Sequence, residues 1–443
     1  MQPHLVYIAW GFPPSRSGGT YRQLATANGF ATAGWKVTVI TVDRAVFTEI
    51  TMPDLSLEEH IDPGIELVRT RFPWPLRNPD RSTWSLFHKV TPDLWRKWRV
   101  VYETRLFPEV GYSAWLPTVK RALSSIHRKA PVDLVIASGN PWVGFAAAAA
   151  FGRAHQVPYV MDYRDAWTLD QFTGEERFML SSRQGEIEQD LIKDASQVWF
   201  VNQATLDWHA ARYPEVAKAM RVVANGWDPE LLEVSSQGGD AAAPRPMTFG
   251  YLGTISVKVP VKIMVEAWRA AKDEGLLAND AKLLVAGYLG YFGAARTRVE
   301  HGIAADIKSG EDVGVEFIGP VPKAEAGAFY SNLDGLVLAF DAGPYVTSGK
   351  VFEYVATAKP IVSVHPPEAA ASDVLQGYPL WAKAAALSVP AVTAAFGQAV
   401  KMAQQLTPKQ TQHAKAFAQQ WRREAQLARP ISELTTLVME SNS

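Results

Sequence analysis

Short apolar runs punctuated by glycine and proline alternate along this chain with longer stretches whose apolar residues recur every three or four positions. Leu5–Trp10 is unbroken apolar sequence of the kind a buried strand shows, and Gly11–Gly19 behind it carries Pro13, Pro14, Gly18 and Gly19, a loop composition. Thr20–Ala33 puts Leu24, Ala27, Phe30 and Ala31 at helical spacing, Gly34 supplies a helix stop, and Lys36–Val42 reads as the next strand. The same unit recurs: a strand at Asp133–Ala137, a loop at Ser138–Trp142, an alanine-rich helix, then a strand at Tyr159–Asp162. A helix through Arg183–Ala195 and strands at Gln197–Val201 and Arg221–Ala224 follow. Strands alternating with helices predict a parallel, doubly wound sheet.

The pattern pauses at Ser235–Pro246 (SSQGGDAAAPRP), which is small, polar and rich in glycine and proline, and then restarts. Met247–Leu252, Lys282–Ala286, Val315–Ile318, Gly335–Ala339 and Ile361–Val364 read as strands, with a helix at Val261–Lys272. A chain of 443 residues exceeds one comfortable core. The expectation is therefore an α/β fold of two Rossmann-like, doubly wound parallel-sheet domains facing a cleft. They would span residues 1–230 and 247–414, joined by a linker at 231–246. Pro408–Met439 reads as a helical tail, polar on one side, whose end (about 415–443) can pack back onto the first domain. Open α/β sheets take ligands at the carboxyl ends of their strands, so the loops there are where chemistry is expected.

Composition adds exclusions. A net charge of −1 offers no general attraction to nucleic acid, and none is expected as a partner. The chain has no cysteine, which removes disulfides, thiolate metal sites and a cysteine nucleophile and fits a cytoplasmic protein. His209 and His301 stand alone, without the paired spacing of a metal site. No apolar run approaches about 18 residues, and the opening run is too short for a span and lacks a signal peptide's basic lead-in.

The densest chemistry lies in Asp341–Val364, DAGPYVTSGKVFEYVATAKPIVSV. Thr347 or Ser348 is expected to cap, and Gly349 to open, a helix running to about Thr357, with Lys350 in its first turn. A cation there opposes the helix macrodipole by about 0.3–1 kcal/mol unless an anion sits nearby. Free backbone N–H groups beside a lysine make a seat for a diphosphate, and Glu353, one turn on, can accept hydrogen bonds from ribose hydroxyls. The plainer reading is a solvated Lys–Glu pair. A phosphate-loop NTPase is excluded, because Pro344 stands where that motif needs glycine and Val351 where it needs serine or threonine.

GKVFEYVATAKPIVSV resembles the donor-site segment of the retaining glycosyltransferases of family 4, which have the GT-B fold. The resemblance continues, in the expected order, through FPPSRSGGTYRQLATANGFATAGWKVTVITV, FPEVGYSAWLPTVKRAL, DLVIASGNPWVGFAAA, VPYVMDYRDAW, NGWDPE and FGYLGTISVK, spanning residues 5–365. It implies that Gly18 and Gly19 bring amides to the transferred sugar or its phosphates. Lys258, with Lys262 as the other candidate, clamps the diphosphate in place of a metal. It further implies that Glu353 holds the ribose and that Thr347, Ser348 and Gly349 supply amides to the sugar or the β-phosphate. Two positions depart from the family pattern. Thr254 follows Gly253 where an arginine is usual, and Tyr345 replaces a first glutamate, leaving Asp341 as the nearest carboxylate. In DYRD, Arg164 falls where many relatives carry a functional histidine, so Arg164 could stabilise phosphate charge and Asp165 orient it. A buried Arg–Asp pair tying loop to sheet is the compatible structural reading. Asp162, Trp115 and Asn140 are assigned to the acceptor side, and NGWD reads as turn chemistry.

Arg71–Arg121 holds ten Lys/Arg against four Asp/Glu, together with Trp74, Trp84, Trp95, Trp98 and Trp115. Basic and aromatic residues together suit an anionic membrane surface or stacking on a sugar, the alternative being a solvated basic face over core tryptophans. The resulting expectation is a transferase that moves a sugar from a UDP- or GDP-linked donor, with retention, to a sugar, lipid-linked or small-molecule acceptor. It would use neither cofactor nor metal. Its place would be cell-surface polysaccharide or glycolipid synthesis, in the cytoplasm or at the inner face of the plasma membrane. The rivals are a UDP-sugar 2-epimerase and a degenerate scaffold kept as a binding partner. A nicotinamide dehydrogenase is disfavoured because GFPPSRSGG is not a G-x-G-x-x-G turn.

Overall fold

Strands buried on both faces need continuous apolar sequence, and the runs that supply it form two separate parallel sheets in a computed structural model. It describes residues 2–50, 53–72, 74, 76, 78, 80–232, 245–290 and 298–441. The expected linker at 231–246 lies mostly outside these, since 233–244 are not described. The chain divides into Met1–Val223 with Leu427–Ser443, and Ala224–Gln426.

The first unit holds β1 (His4–Ile8), β2 (Lys36–Val42), β3 (Glu66–Thr70), β4 (Leu134–Gly139), β5 (Tyr159–Tyr163), β6 (Gln197–Phe200) and β7 (Met220–Val222). Their order is β3-β2-β1-β4-β5-β6-β7, every neighbouring pair parallel, with Val6 beside Thr38 on one side and Val135 on the other. Winding reverses between β1 and β4, which leaves the loops after those two strands free to meet a ligand. One sheet face packs Val6, Ile8, Ala137 and Met161 under the helices Leu116–Lys129 and Val143–His155. The other packs Leu5, Tyr7 and Ile136 against Leu24, Ala27 and Phe30 of the helix Thr20–Thr32.

Leu427, Ile431, Leu434 and Val438 of the last helix, Arg423–Ser441, join that second face. Their spacing of four, three and four puts them on one stripe. Trp35 Nε1 donates to Thr435 Oγ1 at 3.0 Å, and Arg221 pairs with Glu433 at 3.0 Å. The tail is two helices rather than one, Pro408–Gln419 and Arg423–Ser441.

The second unit holds β8 (Thr248–Leu252), β9 (Lys282–Ala286), β10 (Val315–Gly319), β11 (Gly335–Ala339), β12 (Ile361–Val364) and β13 (Trp381–Ala382), ordered β10-β9-β8-β11-β12-β13 and all parallel. Helices Val261–Asp273 and Val389–Gln404 cover one face through Trp268 and Phe396, whose rings lie 5.2 Å apart. The short helix Lys350–Ala356 and Pro408–Gln419 cover the other. Here too the winding reverses beside the first strand, between β8 and β11. Among the described residues no helix is long and apolar enough to cross a membrane.

Leu434 is fully buried and Leu437, on the same helix, is 37% exposed. Leu434→Ala should destabilise the first unit by about 2–5 kcal/mol and Leu437→Ala by no more than about 0.5 kcal/mol, measured by chemical denaturation. Equal effects would mean that the helix does not pack this stripe inward.

Candidate functional site

In the first unit, the loops after β1, β4 and β5 converge through a buried ion pair. Arg22, on the first turn after the glycine loop, reaches Asp162 at the end of β5 through Nη2 at 2.6 Å and Nε at 2.9 Å. The Asp162 carboxylate is fully buried, and Arg22 is nearly so. The remaining arm of Arg22 donates to the Val223 carbonyl at 2.6 Å. A charge buried this deeply needs partners on every side, and this pair has them. Beside it, Arg164 pairs with Asp165 at partly exposed positions. The Arg164 guanidinium lies where a Cβ on Gly19 would sit, 2.5 Å from Nη1, so a side chain at Gly19 would push the arginine off the loop. Gly18 is exposed with open space around it. The loop after β4 is tied in by Trp142, whose Nε1 donates to the Asp165 carbonyl at 3.1 Å, while Asn140 stays exposed.

Two buried carboxyls brace these loops. Glu109 accepts from Trp142 N at 3.2 Å and Val143 N at 2.8 Å, and burial pushes it up to about 8. Glu188 accepts from Tyr163 Oη at 2.9 Å, from Tyr213 Oη at 2.8 Å and from Thr168 Oγ1. Burial pushes Glu188 up to about 7, against the pull of those three hydroxyls. Because Tyr163 and Thr168 flank Arg164 and Asp165, Glu188 holds both ends of that segment.

In the second unit, bare backbone meets lysine. Gly253, Gly287 and Gly319 follow or end the adjacent strands β8, β9 and β10, all with positive φ: +155°, +142° and +75°. At Gly287 a Cβ would strike the carbonyl oxygen of Gly253. The Lys350 side chain lies across Gly253 where a Cβ would point, with Nζ 5.3 Å from the centre of the Tyr251 ring. Asp341 N donates to the Lys258 carbonyl at 2.6 Å, joining the loop after β11 to the loop after β8. Glu353 pairs with Lys323 and accepts from Tyr330 Oη at 3.0 Å. Burial pushes the Glu353 carboxyl up, but Lys323, Tyr330 and Arg423 together hold it below the usual carboxylate range.

Residues 17–226 match the family model of the glycosyl transferase 4-like domain. That match covers less than half of the chain, and the two parallel sheets have the α/β organisation of GT-B structures. The fold aligns with sucrose-phosphate synthase from Thermosynechococcus elongatus over 99% of this chain and 100% of that one, at TM-score 0.65 and 14% identity. HepE from Anabaena, solved in complex with UDP and glucose, aligns over 98% and 100% at TM-score 0.65 and 14% identity. A glycosyltransferase from Rickettsia africae aligns over 99% of each chain at TM-score 0.65 and 10% identity. No curated protein matches the chain by sequence.

The residues expected at the site separate. Gly19, Arg164 and Asp165 come together, with Gly18 next to them in the chain. Asp162 and Trp115 do not present surfaces to an acceptor. Asp162 is fully buried against Arg22, and Trp115 is 1% exposed in the core, donating to Thr70 Oγ1 at 2.8 Å. The buried Arg–Asp pair expected at Arg164–Asp165 is instead Arg22–Asp162. In the second unit Gly253 and Lys350 meet, and Thr254 follows, its carbonyl accepting from Tyr251 Oη at 3.1 Å. Lys258 is exposed, whereas Lys262 leans along its own helix toward Glu266, 3.8 Å away. Neither Thr347 nor Ser348 caps the short helix through its side chain. Gly349 is the N-cap residue, and the Ser348 carbonyl accepts from Val351 N at 3.2 Å. NGWD is more than a turn, since Trp227 N donates to the Trp421 carbonyl and Arg423 N to the Trp227 carbonyl, each at 3.0 Å.

Arg22, Glu109, Lys323 and Tyr330 carry no local pattern that marks them. Glu188 does, because it precedes Leu191 and Ile192 by three and four residues and so falls on their apolar stripe.

Asp162→Ala should destabilise the first unit by about 3–5 kcal/mol, because it strands the Arg22 guanidinium in the interior. A loss under about 1 kcal/mol on denaturation would show that the pair is dispensable. Glu188 gives a pH signature. Burial favours its protonated form in the folded chain, so the unfolded chain holds fewer protons between pH 4.5 and about 7. The stability contributed by protonated Glu188 is therefore lost as pH rises through that window, by up to about 3 kcal/mol. His209 beside it, pushed down to about 4 by burial, drifts the opposite way in both proteins. The difference between wild type and Glu188→Gln isolates the effect, and parallel stability–pH curves would refute it.

Proposed function

We propose that this protein is a nucleotide-sugar-dependent glycosyltransferase that moves a sugar from a UDP- or GDP-linked donor to an acceptor with retention of anomeric configuration. The observation that carries the reading is the side-chain-free seat at the ends of β8 and β9, with the Lys350 chain lying over Gly253 and the N-terminus of the helix Lys350–Ala356 beside it. Backbone amides and a lysine at one point suit a diphosphate, which carries the charge that grows as the sugar leaves. Lys258, exposed on the adjoining loop, is the second cation, so no metal is called on. Glu353, held ionised by Lys323, accepts from the ribose hydroxyls. On the first unit, Arg164 and Asp165, with the amides of Gly18 and Gly19, attend the sugar and its phosphate, and Asn140 lines the acceptor side. The leaving phosphate itself takes the acceptor's proton, and no side chain is assigned as base. HepE, solved with UDP and glucose, supports a nucleotide-sugar donor by its fold. The acceptor is a sugar, lipid-linked or small-molecule compound, and the product a cell-surface polysaccharide or glycolipid made in the cytoplasm or at the inner face of the plasma membrane.

Calorimetric titration with UDP, GDP and ADP, without added metal, tests the donor site. One diphosphate should bind selectively, with binding lost in Lys350→Ala and weakened tenfold or more in Glu353→Ala, about 1.4 kcal/mol. Unchanged affinity in Glu353→Ala would remove its ribose role. No binding by any nucleotide, in a protein that melts normally, would favour a degenerate scaffold, for which Tyr345 in place of a glutamate is the motivating residue.

A further inference from the structure

The helix Pro92–Leu106 has its amphipathic pattern reversed. Its inner face carries the charges: Glu103 is fully buried, pairs with Arg99 at 2.7 Å and accepts from Gly111 N at 2.6 Å. Its outer face carries Leu94, Trp98, Val101 and Tyr102, which are 58%, 50%, 51% and 40% exposed. Spacing of four, three and one places all four on one stripe. The preceding short helix, Leu86–Val90, adds Leu86 and Val90, 77% and 69% exposed, and Phe87, whose ring lies 6.2 Å from that of Trp98. Trp98 in turn stacks on Tyr102 at 5.5 Å. At the far end Arg183 donates to the Arg105 carbonyl at 3.1 Å, which brings exposed Met179 and Leu180 alongside.

Of these apolar side chains Phe87 and Trp98 meet between the two helices, and the inner contact is made by other residues. His88 stacks between Trp84 and Trp95, 3.6 Å from each ring, and this holds the two helices together from the inside, while the Arg99–Glu103 pair lies within the second helix. A contiguous run of exposed apolar and aromatic groups marks a surface that another phase or molecule covers. The charges around it identify that partner. Lys89, Arg96, Lys97, Arg105 and Arg183 are exposed around the stripe, against Asp93. A second copy of this chain would set the same cations against each other across a symmetric contact. An anionic lipid leaflet pairs with them while its acyl boundary takes the leucines and aromatic rings.

We propose that the face made by the helices Leu86–Val90 and Pro92–Leu106 docks the protein on an anionic membrane surface, with Leu94 and Trp98 as its inserting groups. Sedimentation of the full chain with phosphatidylcholine vesicles, with and without phosphatidylglycerol, tests this. Wild type should pellet with the phosphatidylglycerol vesicles at low salt and be released as salt rises. Leu94→Ser combined with Trp98→Ser should weaken partitioning roughly tenfold or more. Arg96→Gln combined with Lys97→Gln should weaken it and flatten the salt dependence. Met439→Ser, at an exposed apolar residue elsewhere, should change nothing. Melting and nucleotide titration of each variant should match wild type, which separates failure here from failure of the transferase reading. No pelleting with anionic vesicles at low salt would overturn the proposal, as would unchanged partitioning of the Leu94/Trp98 variant. A wild-type dimer in sedimentation velocity that this variant dissolves would assign the face to a second copy instead.

Discussion

A carboxylate with no access to water at the end of a strand must be matched by a cation, and in the first unit that requirement arranges everything around it. Asp162 lies one residue before the end of β5, and Arg22, in the first turn of the first helix, is the cation that reaches it. Satisfying that pair sets the rotation of the helix Thr20–Thr32, which fixes where the glycine loop before it runs. It also captures the Val223 carbonyl just beyond β7, so the last strand of the sheet is tied to the first helix. The partly exposed pair, Arg164 and Asp165, then sits against Gly19, where only hydrogen leaves room for the guanidinium. Breaking a buried pair by removing one partner leaves a desolvated charge, so such an arrangement is stiff. On the proposed function that stiffness suits Arg164 and Asp165, because dipoles already in place need no reorganisation.

The second unit reaches an open strand-end surface by the opposite route. Instead of filling the space with paired charges it removes side chains, placing glycines after β8 and β9 and at the end of β10. Positive φ at these positions turns the chain sharply, and the absence of Cβ atoms lets the Gly253 carbonyl approach Gly287. What remains is backbone, crossed by one long lysine and bordered by another. One unit thus offers fixed partners and the other a bare seat with adaptable cations.

Much of the architecture was legible because it rests on local patterns. Lys36–Val42, Lys282–Ala286, Gly335–Ala339 and Ile361–Val364 are strands over the residues their apolar runs mark, and the two-sheet α/β organisation follows from their alternation with helices. β3 was not legible, because Glu66–Thr70 is a sheet edge whose half-exposed positions carry Glu66 and Arg69 rather than an apolar run. β13, two residues long, leaves no pattern at all. The basic, tryptophan-rich segment was visible as composition, but the outward turn of Leu94 and Trp98 over a buried Arg99–Glu103 pair was not.

The sequence by itself determined where strands and helices form, where glycine opens the loops, and that Arg164 and Lys258 lie on loops while Lys350 and Glu353 lie on a short helix. Periodicity and turn chemistry act over a few residues, and a single chain displays them in full. Tertiary structure alone decided partners. Arg22 finds Asp162 across 140 positions, Tyr330 finds Glu353 across 23, and Trp115 turns into the core instead of toward a ligand. Burial raises the stake of each such pairing, because a polar group out of reach of water must be satisfied by whatever the fold brings near it. That neighbour is set by strand order and helix rotation, which no local spacing records.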